Sequence, residues 1–102
     1  MKACCEAFLN EQFAGDADVV CEIYVEYVSS IHEKLGEMAK ALEKADWEAI
    51  DRCAHAVKGN ALAVGDQDMA DTAIALRGAA KLGDGAKAKP LVERLKSLST
   101  EL

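Results

Sequence analysis

The chain has 102 residues, about half of them apolar but only 5% aromatic, with one proline and a formal net charge of −6. That length holds one domain, residues 1–102, with one core, and the composition favours closely packed helices over a sheet. Residues 1–51 hold twelve acids against four bases and residues 52–102 six against eight, with no basic run, which excludes nucleic acid as a partner because phosphate binding needs clustered Lys and Arg.

No stretch approaches the roughly 18 unbroken apolar residues of a membrane span, and the N-terminal MKACCEAFLN lacks the apolar run of a signal peptide. The expectation is a cytoplasmic protein without membrane insertion. Cys4, Cys5, Cys21 and Cys53 form no C-x-x-C pair and are read as reduced thiols, with Cys21 and Cys53 as small apolar fillers on helices.

A short helix is predicted from Cys4 to Phe13, with Phe8, Leu9 and Phe13 on one side, ending at Gly15 and packing as a lid across one end. Asp16 then caps a long helix to about Lys44, whose stripe of Val20, Tyr24, Tyr27, Ile31, Leu35, Met38 and Leu42 faces a core. Asp46 caps a third helix from Trp47 to about Val64, with Ile50, Cys53, Ala54, Val57, Ala61 and Val64 inward. Gly65 and Asp66 break the chain before a helix from Gln67 to Lys81 with Met69, Ala73, Leu76 and Ala80 inward. After Gly83-Asp84-Gly85 a last helix begins near Ala86 or later, because Pro90 is cheap only in a first turn; it carries Ala88, Leu91, Val92, Leu95 and Leu98 inward, with a kink allowed. Four amphipathic helices joined by short breaks predict an all-α fold, an antiparallel up-and-down four-helix bundle with a short N-terminal helix.

The chemistry concentrates in Ala54–Gly65, AHAVKGNALAVG. On a wheel of 100° per residue His55 lies about 140° from the core centre of its helix, with Lys58, Gly59 and Leu62 within about 60° of it. An exposed imidazole of ordinary pKa, about 6.5, is mostly neutral at pH 7 and attacks an electrophile without a helper base; phosphorus is the electrophile that suits these neighbours. Lys58 screens a phosphoryl group's charge, and Gly59 leaves space for a bulky donor or acceptor, a reason to keep a glycine that costs a helix roughly 1 kcal/mol.

Other motifs fail. H-E-K-L-G at His32 begins like a zinc-protease helix, but Gly36 stands where the second histidine belongs. Neither histidine follows a glutamate by three, as a di-iron bundle requires, and there is no Gly-rich phosphate loop.

The segment resembles the histidine-containing phosphotransfer (HPt) domain of two-component phosphorelays. That family's pattern, H-x-[hydrophobic]-K-G-x-[small]-x-x-[hydrophobic]-G, is met by His55, Val57, Lys58, Gly59, Ala61, Val64 and Gly65. The order and lengths of the helices agree with it across nearly the whole chain. The resemblance implies that His55 accepts and donates a phosphoryl group, that Lys58 steadies it, and that Gly59 makes room for a receiver domain docking on a face with Arg52, Leu62 and Ala63. It further implies response-regulator receivers and a hybrid sensor histidine kinase as partners, no autonomous kinase activity, and no cofactor of its own, Mg²⁺ being held by the receiver. A monomer is expected.

Three residues depart from the family pattern. Asn60 stands where a serine or other small residue is common, and Asp66 where a small residue follows the glycine. About twenty-two residues after the histidine, members often carry a glutamine that hydrogen-bonds the imidazole; this chain has Arg77, which can donate to phosphoryl oxygens but cannot accept from a ring N–H. Two alternatives stay open: a binding-only helical adaptor or homodimer using the His55 face, and the phosphoacceptor module of a larger histidine kinase. The run from an initiating methionine to a helix ending at Leu102 weighs against the second.

Overall fold

The computed structural model describes all of residues 1–102 and contains five helices and no strand: α1 (Ala3–Gln12), α2 (Ala17–Glu43), α3 (Trp47–Ala63), α4 (Gln67–Lys81) and α5 (Gly85–Ser99). Helices α2 to α5 pack around a ring, α2 on α3, α3 on α4, α4 on α5 and α5 back on α2, with the backbones of each diagonal pair farther apart. This is the expected up-and-down bundle, 43 × 19 × 19 Å in extent. No helix is long and apolar enough to cross a membrane.

The three turns inside the bundle share one construction. Each leaves its helix through a left-handed residue, Ala45 (φ 51), Gly65 (φ 73) or Gly83 (φ 62), and the next residue is an aspartate opening the following helix. In each, that aspartate's backbone N–H bonds the carbonyl five residues back, Asp46 to Ala41, Asp66 to Ala61 and Asp84 to Ala79, which satisfies a carbonyl the helix end would otherwise orphan. Asp46 and Asp84 then accept from the N–H groups of Ala49 and Lys87 with their side chains, as Asp16 does from Val19 at the start of α2. Asp66 does not.

The apolar stripes fall where the periodicity puts them, with corrections at the edges. Leu42 and Leu91 are half-buried at the margin of the core rather than within it. Cys21, read as a filler, is exposed, whereas Cys53 is buried and donates to Glu37 Oε2 at 3.6 Å. In α1 the inward residues are Cys5 and Leu9, one turn apart; Phe8 is half-buried, and Phe13 lies past the helix end, 40% exposed. Helix α5 begins at Gly85, so Pro90 is its sixth residue rather than a first-turn one; the Ala86 carbonyl it cannot bond lies on an exposed residue.

Helix α2 has 27 residues against 17 in α3, about 40 Å against about 25 Å, so its first turns overhang the bundle end at the α3–α4 turn. Helix α1 fills that overhang. A Cβ on Gly65 would stand 2.6 Å from Phe8 Cβ, so this position needs glycine both for its φ and for the approach of α1. Beside it, Asp66 is fully buried and accepts from Lys2 Nζ and from Tyr27 OH, each at 2.7 Å. Tyr24 OH accepts from Lys2 N at 3.0 Å and donates to the Leu102 carbonyl at 3.2 Å. One buried carboxylate thus joins the chain's first residues, α2 and the turn after α3, and Tyr24 ties its last residue to the same cluster. No buried side-chain polar atom lacks a partner.

Candidate functional site

Helix α3 has a continuous inward stripe of Ile50, Cys53, Ala54, Val57 and Ala61, so the residues that remain must face out. His55 sits near its middle and is exposed, with Lys58 half-buried one turn on and Gly59 exposed beside it. Arg52, Leu62 and Ala63 are exposed on the same side, Leu62 at 45%, a high value for a leucine. The structure therefore places on one side the α3 residues that the sequence assigned to the phosphoacceptor and docking face.

Gly59 has a negative φ and nothing within 4 Å of where a Cβ would stand. Neither backbone conformation nor internal packing calls for glycine at this position. The helix carries roughly 1 kcal/mol of propensity cost for no intramolecular return, and the position leaves open surface beside His55.

The flanks of α3 are fixed by polar contacts to its two neighbours. On the α2 side, Asn60 Nδ2 donates to Ser30 Oγ at 2.8 Å, so the asparagine that departs from the family pattern ties helices together and points away from His55. On the α4 side, Arg77 Nε donates to Asp51 Oδ1 at 3.0 Å, an ion pair whose side chains are 25% and 29% exposed. Arg77 is thus neither a free solvated cation nor hydrogen-bonded to the imidazole. Sequence reasoning missed Asp51, one turn before His55 on the same helix; the signal was an acid at i−4 from the histidine, meaningful only once an arginine is known to face it. Asp66, the remaining departure, belongs to the buried cluster at the end of the helix.

Chemically, the patch offers one nucleophilic ring in water, one cation a turn away, and a second cation held at its α4 flank. No cluster of three or more His, Cys, Asp or Glu side chains gathers anywhere to hold a metal ion.

The Hpt-domain family model matches residues 22–102, which takes in most of α2 and all of α3, α4 and α5, and leaves α1 outside. Searches of curated proteins and of solved structures give no match. With four-fifths of its length matched, the chain belongs to the Hpt-domain family and has that family's phosphotransfer role in two-component systems.

Proposed function

We propose that this chain is a phosphorelay intermediate that carries a phosphoryl group on His55 between receiver-domain aspartates. A ring nitrogen of His55 forms the N–P bond as the P–O bond to the receiver's aspartate breaks; the electron pair returns to the carboxylate, and the proton on the opposite ring nitrogen is free to leave to water. The reverse step regenerates the acyl phosphate on a second receiver. Lys58 screens the phosphoryl charge during both steps, and Gly59 lets the receiver's surface close on the ring.

The single observation that carries this reading is the exposed His55 with a cation, Lys58, one turn along the same face and an open glycine beside it. Receivers and a hybrid sensor histidine kinase are the partners; Mg²⁺ belongs to the receiver's acidic pocket, and the chain holds no cofactor and makes no phosphate bond on its own account. Residues 1–102 act as one domain, monomeric and in the cytoplasm.

Incubation with phosphorylated receiver domains tests this directly. The expected product is an acid-labile, base-stable phosphoramidate bond on this chain, and transfer that survives His55→Ala overturns the assignment. The docking face is tested by Gly59→Leu, which adds a side chain to open surface. Receiver binding measured by calorimetry weakens about tenfold if the receiver closes over Gly59, and stays unchanged if it docks elsewhere.

A further inference from the structure

Arg77 occupies the place on α4 where the family pattern leads one to expect an amide, and the structure pairs it with a residue of the phosphoacceptor helix itself. On α3, taking 100° per residue, Asp51, His55 and Lys58 fall within about 60° of one another, on the side of the outward face nearest α4. Side chains on a helix tilt toward its N-terminus, so the His55 ring leans over the turn that holds Asp51, and Lys58 leans back toward His55. The Asp51–Arg77 pair therefore borders the ring on one side as Lys58 does on the other.

The pairing is one-pronged. Arg77 reaches Asp51 through Nε, and its two terminal amino groups make no hydrogen bond within the chain. A carboxylate one turn from the ring would by itself repel a phosphoryl dianion; paired with a guanidinium it does not, and it fixes the planar fork with its remaining donors unspent.

We infer that Arg77 is a phosphoryl ligand for phosphorylated His55 and that Asp51 is the positioning residue that holds its guanidinium in place. This rests on His55 being the phosphoacceptor. Arg77 donates two charge-assisted hydrogen bonds from its terminal amino groups to phosphoryl oxygens while Nε stays on Asp51, so the phosphoryl group lies between Arg77 and Lys58. Stabilisation of the phosphorylated form thus replaces the imidazole contact that an amide would make.

The test uses the full chain and phosphoramidate as donor, from which ammonia leaves as the N–P bond to His55 forms. Labelling of the wild type that disappears in His55→Ala establishes the phosphoacceptor; its failure overturns the functional reading and this inference together. Once labelling is established, the Arg77 guanidinium ¹⁵N–¹H resonances shift on phosphorylation, and the half-life of the phosphorylated chain after donor removal falls about fivefold in Arg77→Ala and in Asp51→Ala. Asp51→Asn, which keeps an oxygen acceptor for Nε, recovers most of that half-life. Unmoved Arg77 resonances, or half-lives equal to wild type in both alanine variants, overturn the inference and leave His55 in place. Thermal melts of each variant separate these effects from loss of fold.

Discussion

The chain has two histidines, both exposed, both in mid-helix on adjacent elements of one bundle, and both followed four residues later by a glycine with nothing within 4 Å of its missing Cβ. They differ in what stands three residues on. After His55 it is Lys58, a half-buried cation on the same side; after His32 it is Leu35, buried at 6% exposure as part of the core stripe. The cation nearest His32 in sequence, Lys34, is two residues on and paired with Glu37 at 3.5 Å. Residues two apart on a helix point about 200° away from each other, so Lys34 cannot serve a group on His32. If His55 is the phosphoacceptor as proposed, an exposed imidazole with an open glycine is not enough, and a cation one turn along, on the same face, makes the difference.

The comparison is broken most severely by exchanging which ring remains. His55→Ala abolishes phosphorylation by a receiver, whereas His32→Ala leaves transfer within about twofold of wild type; neither changes stability by more than about 0.5 kcal/mol, because both rings lie outside the core. Equal loss from the two substitutions, read by radiolabel transfer, contradicts the distinction.

The next largest effect separates the exposed patch from the buried end of the same helix. Tyr27→Phe removes one of the two side-chain donors to the fully buried Asp66 and costs about 1–3 kcal/mol of unfolding free energy by chemical denaturation, with transfer by the folded protein unchanged. The same cluster makes the protein labile to alkali. Burial first, then the hydrogen bond to Asp66 and its negative charge, raises the Tyr27 pKa above its ordinary 10.0; burial pushes the Cys5 thiol from 9.0 up to about 12. For Lys2, burial opposes the charge but is outweighed by the hydrogen bond and the charge of Asp66, and its pKa is raised above 10.5. All three groups hold their protons more tightly folded than unfolded, so unfolding releases protons and stability falls as pH rises above about 9, where the unfolded thiol begins to ionise. Tyr27→Phe makes that decline shallower, and an unchanged slope in Tm against pH between about 9 and 11 contradicts the account.

Lys58→Ala has a smaller effect, slowing transfer about fivefold at low salt with little change in Tm, since the residue lies off the core stripe. Rates equal to wild type at low salt remove its electrostatic role. The smallest effect is structural: Ala45 carries a left-handed φ of 51 where the two equivalent turns have glycine, so Ala45→Gly stabilises the bundle by about 0.5–1 kcal/mol, measured by denaturant midpoint.

The exposed site was legible in the sequence because one helix carries it. The periodicity of Ile50, Cys53, Val57 and Ala61 sets the inward direction of α3, and every other angle follows, so the exposure of His55, Gly59 and Leu62 was fixed by local spacing. Asp66 was not legible, because it fills a position where an aspartate has an ordinary local task, capping α4, as Asp46 caps α3 and Asp84 caps α5. Its carboxylate turns inward because Lys2 and Tyr27, far away in sequence, meet it there, and no spacing reports such a meeting. Asp51 was hidden for the same reason: an acid on a half-exposed helical position is unremarked until the partner on α4 is seen. Pairings between distant segments decided both, and in α1 the same held for Cys5, which joined the expected Leu9 inside while Phe8 stayed half-buried and Phe13 exposed.

The most direct measurement of the central claim is to locate the phosphoryl group after transfer from a phosphorylated receiver, by mass spectrometry under conditions that spare phosphohistidine. The account requires it on the peptide containing His55 and absent from the one containing His32. A phosphoryl group on His32, or on a side chain other than His55, contradicts it.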